Sequence, residues 1–176
     1  MGTENTQKVV GSFFEAIGRG DVPTILGLLA DDIEFELPQH QYNRIIPYLD
    51  VMRGPQAVAE AFRIRAETTE VLDYALRDLI VQDDRAAALV YTKATCRATG
   101  KVFEIEDMHR FVVGNSGKIV KWKAYFDSVV EVEAFRANQA AEILEAVQKG
   151  DLQAVQRLAD LGADINTREP GTGLTL

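Results

Sequence analysis

The sequence predicts an α+β fold: a curved antiparallel sheet wrapped on N-terminal helices around a cone-shaped pocket, followed by a C-terminal helical hairpin. Three observations carry this reading. Apolar residues recur at helical spacing over the first part of the chain, from Val9 to Leu29. Between Val71 and Ser128 they alternate with polar residues through long segments separated by turn signals. Beyond Asp127 the helical spacing returns. Helices followed by an antiparallel meander must bury their apolar faces against one another, so the sheet has to curl over the helical layer.

Each element has its own signal. Thr6 is placed to cap a first helix carrying Val9, Val10, Phe13, Phe14 and Ile17 on one stripe and ending near Gly18 and Gly20. Asp21 caps a short second helix with Ile25, Leu26, Leu28 and Leu29. After Asp31 and Asp32 the period falls to two, with Ile33, Phe35 and Leu37 alternating with Glu34 and Glu36 until Pro38 ends the strand. Gln39 to Arg53 is irregular and contains His40, Tyr42, Arg44 and Tyr48, which suits a long loop or lid. Gly54-Pro55 opens a third helix through Ala57, Val58, Ala61, Phe62 and Ile64. Strands then follow over 71–82, 85–98, 101–113 and 117–128, joined by Asp83-Asp84, Thr99-Gly100 and Gly114-Asn115-Ser116-Gly117.

The tail has apolar stripes from Ile143 to Val147 and from Leu152 to Leu161, separated by Lys149-Gly150-Asp151 and followed by Gly162-Ala163-Asp164-Ile165-Asn166. These residues resemble an ankyrin repeat, and Gly171 to Leu176 resembles the start of a further unit. The alternative is an ordinary helical hairpin. A lone repeat cannot bury its own apolar face, so the tail is expected to dock on the first domain, on a second copy of the chain or on a protein partner. The expected division is a pocket domain over 1–136 and a tail over 137–176.

Bulk properties exclude several classes. The chain has 176 residues, 47% of them hydrophobic and 26% charged, which suits one well-filled core. A net charge of −8 without a Lys/Arg stripe argues against nucleic acid and against anionic membranes. The single cysteine rules out an internal disulfide framework, and without a signal-like or long apolar run the expected location is cytoplasmic. The two histidines, His40 and His109, do not fall in a metal-ligand spacing, and neither a GxGxxG turn nor a phosphate-binding loop occurs, so no metal or cofactor is expected.

One strand carries chemistry on its apolar face. In FEIEDMHRFVV, residues 103 to 113, strand parity puts Phe103, Ile105, Asp107, His109, Phe111 and Val113 on one side. Asp107 and His109 are therefore expected to be buried together. Burying an ionised carboxylate without partners costs several kcal/mol, so Asp107 must be protonated, paired with His109 or held by an arginine. A carboxylate beside an imidazole suits general acid–base work near neutrality, with Asp107 as base or orienting group and His109 as proton donor to a substrate oxygen. The alternative is a satisfied structural pair. Trp122 and Phe126 share parity with Ala124, and Thr92 and Cys96 share parity with Ala94, so these side chains are expected to line the same hollow, with Cys96 serving as a small buried hydrophobe. Phe62 and Phe111 add apolar wall, and Tyr42 approaches from the loop. Asp127, on the opposite parity, is expected to cap the next helix. The outward Lys121, Lys123, Glu104, Glu106 and Arg110 suit a solvated or dimer-forming sheet face.

Residues 7 to 136 resemble the SnoaL-like branch of the superfamily named for nuclear transport factor two. The segments that carry the likeness are VVGSFFEAIGRGDVPTILGLLADDIEFELP, MRGPQAVAEAF and GKIVKWKAYFD followed by EAF. The resemblance implies a curved sheet closed by helices around an apolar pocket, in a group that includes ketosteroid isomerases, polyketide cyclases, limonene-epoxide hydrolases, dehydratases and non-catalytic proteins. Its catalytic positions carry over unevenly. The positions used by ketosteroid isomerase hold Phe13, Leu37 and His109, which implies that Phe13 and Leu37 line the pocket, and those of the epoxide hydrolases hold Ala94, Thr92 and Ala124. The cyclase pair falls on Asp107 and His109, with Ala124 where the cyclase base would be. The resemblance thus implies a small, largely apolar oxygenated ligand, handled by a cofactor-free isomerase, cyclase or dehydratase that works as a homodimer. The competing expectation is a non-catalytic binding or assembly module that acts through its tail.

Overall fold

The computed structural model describes residues 2–39, 45–136, 139–160, 163 and 166. Helices α1 (Thr3–Arg19) and α2 (Val22–Gly27) lead into strand β1 (Leu29–Glu36). A short strand β2 (Val51–Arg53) and helix α3 (Pro55–Thr68) precede four long strands, β3 (Thr69–Gln82), β4 (Arg85–Cys96), β5 (Val102–Val113) and β6 (Ile119–Tyr125). Helices α4 (Ser128–Arg136), α5 (Gln139–Gln148) and α6 (Leu152–Asp160) follow. No helix among the described residues is long and apolar enough to cross a membrane.

The strands form one six-stranded sheet in the order β2-β1-β6-β5-β4-β3. Neighbours pair antiparallel except β1 and β6, which run parallel with Phe35 opposite Trp122. Register shifts interrupt β1–β6, β3–β4 and β5–β6. Each such irregularity bends its strand and increases the local twist, which lets the sheet curl over the helices. Along β5 buried and exposed residues alternate as the period of two requires, with Phe103, Ile105, Asp107, His109, Phe111 and Val113 inside. The facing positions of β4 are small, including Ala86, Ala88 and Ala94, and leave room beneath the sheet for α1. Helix α1 fills that room with Val10, Phe13 and Phe14, whose rings meet Phe111 and Trp122 edge-on.

Several elements differ from expectation for identifiable reasons. Thr6 does not cap α1, which begins after Gly2. Its hydroxyl is fully buried and donates to the Asp83 carbonyl at 2.7 Å, while the Asp83 N–H donates to Thr3 Oγ1 at 3.0 Å. The start of α1 is thus clamped to the β3–β4 turn, where Asp83 takes a positive φ of 53°. Leu29 belongs to β1 and not to α2. The stretch before α3 is not wholly irregular either: β2 covers one edge of β1, and Ile45, Ile46, Tyr48 and Leu49 are buried in a cluster with Val132 of α4. Apolar side chains at these positions anchor the segment. His40, Tyr42 and Arg44 lie outside the described residues.

Other local signals act as anticipated. Asp21 caps α2, accepting from the Thr24 N–H at 3.1 Å and the Thr24 hydroxyl at 2.6 Å. Asp127 accepts from the Val129 N–H at 3.0 Å at the start of α4. Gly54, at φ 82°, turns the chain from β2 into α3 in a backbone conformation that a residue with a Cβ adopts only with strain. In the tail, Ile143 and Ala146 of α5 pack on Leu158 of α6 and on Ala163, and Asp151 caps α6 through the Ala154 N–H at 2.9 Å. Leu161 and Gly171 to Leu176 lie outside the described residues.

Candidate functional site

Between the inner face of the sheet and helices α1 to α4 lies a cavity of about 550 Å³. Its walls come from Ile17 of α1, Phe35 of β1, Phe62 and Arg65 of α3, Tyr74 of β3 and Glu131 of α4, among others. Of the residues expected there, Asp107, His109, Leu37, Phe62, Thr92, Trp122 and Phe126 do line it. Phe13, Phe111 and Cys96 do not. The first two are sealed in the central core, and Cys96 packs with Ala94, Phe103, Ile105 and Ala134 behind the wall. Inward parity thus brings a residue to the concave face, but only some positions on that face border the void. Tyr42 lies outside the described residues.

At one end of the cavity a chain of hydrogen bonds runs along the sheet. Trp122 Nε1–H donates to His109 Nδ1 at 2.7 Å, and His109 Nε2 lies 2.8 Å from Asp107 Oδ2. An indole nitrogen only donates, so Nδ1 must accept and the single imidazole proton sits on Nε2, from which it is given to Asp107. Both ring nitrogens of His109 are therefore occupied inside the protein. Asp107 is different, because its Oδ1 is enclosed and has no hydrogen-bond partner among the described residues. The order of the three residues is set by register: His109 lies opposite Ala124 on β6, and Trp122 lies two residues earlier on the same face. Phe35 stacks on the Trp122 indole at 3.5 Å between ring centroids and fixes its plane.

A second polar group, absent from the sequence expectation, forms another part of the wall. Tyr48 donates its hydroxyl to Glu131 Oε1 in a short hydrogen bond. Glu131 is 1% exposed, and its Oε2 has no hydrogen-bond partner among the described residues. The guanidinium of Arg65 lies over the Tyr48 ring at 5.9 Å, with its Nε enclosed and unpartnered. Burial, followed by the charge of Glu131, pushes the Tyr48 phenol well above its ordinary pKa and keeps it neutral. Burial also raises the Glu131 carboxyl, against the opposing pull of Arg65 and of the Tyr48 bond. For Arg65 burial alone acts to lower the pKa, but the surrounding Tyr48, Glu131, Asp107 and Tyr74 hold it above its ordinary value. Tyr74, opposite Thr92 in the sheet, is raised by burial and by Asp107.

These residues carried a faint sequence signal. Arg65 follows Val58, Ala61 and Phe62 at helical spacing, and Glu131 shares a stripe with Ser128, Val132 and Phe135. A charged side chain on an apolar stripe is the helical counterpart of the pattern that singles out Asp107. Tyr48 sits in a segment without a period. Among the described residues no group of three or more His, Cys, Asp or Glu side chains is placed to hold a metal ion.

A cone of curved sheet closed by helices around an enclosed pocket defines a small α+β pocket protein. The profile of the SnoaL-like domain matches residues 10–122, and the chain belongs to that family. Among solved structures, an NTF2-like protein from Burkholderia xenovorans LB400 is 24% identical, with a TM-score of 0.65 over 77% of this chain and 98% of that one. An NTF2-like protein from Burkholderia thailandensis E264 is 23% identical, with a TM-score of 0.67 over 73% and 95%. TerC, co-crystallized with polyporic acid, is 17% identical, with a TM-score of 0.64 over 74% and 98%. At these identities the likeness is one of fold. No curated protein matches the sequence.

Proposed function

We propose that the protein binds a small, largely apolar oxygenated compound in this cavity and catalyses a cofactor-free proton transfer, of the kind used in isomerisation, cyclisation or dehydration. Asp107 is the base. The observation that carries the reading is its asymmetry: Oδ2 is held by His109, which Trp122 holds in turn, while Oδ1 is enclosed without a partner among the described residues, in a side chain that lines the cavity. A carboxylate with one oxygen fixed and the other free is oriented to take a proton from a ligand carbon. His109 is a positioning residue in this reading and not the proton donor, because neither of its nitrogens is left to face a substrate. The stacked Trp122 and Phe35, with Leu37, Phe62 and Phe126, supply the apolar bed. That TerC, which shares this fold, was co-crystallized with polyporic acid supports the choice of an oxygenated organic ligand.

Deuterium uptake tests the reading. Incubated in D₂O with 2-tetralone, an apolar bicyclic ketone with acidic C–H bonds, the protein is expected to accelerate exchange beside the carbonyl, followed by NMR. Asp107→Asn should slow that exchange at least about 100-fold. Wild-type protein that leaves the background rate unchanged would sink the proposal.

A second reading has one observation in its favour. Val147 of α5 is 40% exposed and Leu152 of α6 is 81% exposed, which leaves apolar surface on the tail for an assembly role. Native mass spectrometry with and without residues 137–176 tests it, since a tail used for assembly must change the oligomer when removed.

A further inference from the structure

Three carboxyl and two guanidinium groups line the cavity: those of Glu70, Asp107, Glu131, Arg65 and Arg97. Four of the five are engaged by the protein itself. Arg97, on the exposed side, donates from Nε to the carbonyls of Ala66 and Thr69 at 3.2 and 3.1 Å, and its Nη1 lies 3.5 Å from Glu70 Oε2. Asp107 is held by His109, and Glu131 by Tyr48. Arg65 is the exception, because no hydrogen bond or ion pair reaches its guanidinium among the described residues. Burial works against its charge, and Tyr48, Glu131, Asp107 and Tyr74 offset that only at a distance. A cation enclosed in this way is costly unless something bonds it. Instead of closing on either carboxylate, the guanidinium lies over the Tyr48 ring at 5.9 Å, a contact that uses its face and leaves the donors on its edge free. Nε is enclosed, so the donors left to meet a ligand are the terminal Nη1 and Nη2, on a half-buried side chain that lines the void.

We propose that Arg65 anchors the ligand through a carboxylate, so that the cavity takes an apolar organic acid. The inference rests on the reading of this cavity as the ligand site, and not on the assignment of Asp107 as base. The planar fork of a guanidinium matches the two oxygens of a carboxylate, which gives the pair direction as well as charge. Selection follows from what each kind of ligand does to the cation. A neutral apolar compound fills the void and leaves the guanidinium without acceptors, whereas a carboxylate supplies acceptors and counter-charge together. Glu131 competes weakly for the same cation, because burial raises its carboxyl and Tyr48 already occupies Oε1. Asp107 repels a second negative charge, so the carboxylate settles on the Arg65 side with the apolar body of the acid towards Asp107. One orientation is thereby favoured over its reverse.

Calorimetric titration with tetralin-2-carboxylate and with tetralin-2-carboxamide, a neutral compound of the same shape, isolates the charge. At about pH 7 the wild-type protein is expected to bind the carboxylate at least about 10-fold more tightly than the carboxamide, the contribution of charge-assisted hydrogen bonds in an enclosed site. Arg65→Met keeps most of the apolar stem and should bind the two compounds equally. Arg65→Lys keeps the charge without the planar fork and should retain only part of the preference. Asp107→Asn should keep the preference in full while losing deuterium exchange, which separates anchoring from proton transfer. Wild type that exchanges 2-tetralone but binds the carboxamide as tightly as the carboxylate would overturn this inference and leave the base assignment standing. A carboxylate preference undiminished in Arg65→Met would overturn it as well. Binding of neither compound would overturn it together with the reading of the cavity as the ligand site. The wild-type comparison decides the matter even where Arg65→Met fails to fold.

Discussion

The two polar ends of the cavity are built on opposite principles. At the sheet end, Trp122, His109 and Asp107 form a line in which every nitrogen is paired and one carboxylate oxygen is left over. At the helix end, Tyr48, Glu131 and Arg65 come from three separate elements and leave two polar atoms unpaired, Glu131 Oε2 and Arg65 Nε. Buried polar groups are normally satisfied, so an end that is nearly complete acts as structure with one active atom, whereas the incomplete end waits for a partner. The difference teaches that depth of burial alone does not mark a functional group. What remains unpaired after the protein has made its own bonds is the better guide.

The largest expected effect comes from breaking the satisfied end. His109→Leu strips Asp107 Oδ2 and the Trp122 N–H of their partners at once, and the expected loss is about 2–5 kcal/mol, read as a lower denaturant midpoint. Glu131→Gln tests the other end and should change how stability depends on pH. Burial, the main cause, raises the folded-state pKa of Glu131 above its ordinary value of 4.5. The stability linked to its proton is therefore complete below that ordinary value and lost as pH rises through the folded value. Denaturation midpoints of the wild type should thus decline relative to Glu131→Gln as pH rises above the ordinary carboxyl value of 4.5. The smallest effect is expected on the outer sheet face. There the exposed Glu104 bonds the half-buried Lys93 at 2.7 Å and Tyr91 at 2.9 Å, and Glu104→Gln should leave the midpoint unchanged.

The same contrast explains what could be read from the sequence. Asp107 and His109 share one strand, and a period of two is enough to place both on the concave face. Asp21 and Asp127 act within three residues of themselves, so their capping roles needed only local order. Thr6 misled because its hydroxyl found a distant carbonyl, that of Asp83, which no local pattern encodes. Glu131 and Arg65 each interrupt an apolar helical stripe, a fainter sign than the one on β5, and their meeting with Tyr48 depends on the packing of three elements far apart in the chain. Cys96 and Phe111 sit on the inward face as their parity requires and still miss the void, since a strand pattern gives direction and not the shape of empty space.

One joint in the sheet carries a consequence for how the protein is made. The parallel pairing of β1 with β6 unites two segments separated by most of the family domain, and the Phe35–Trp122 stack straddles it. Contacts between distant parts of a chain form slowly, because a large loop must close before they gain anything. During synthesis β1 leaves the ribosome long before β6 and has no permanent neighbour on that side until β6 arrives. The seam of the sheet and one wall of the cavity are therefore completed in the same late event, so the cavity has no finished wall on this side before the domain is whole.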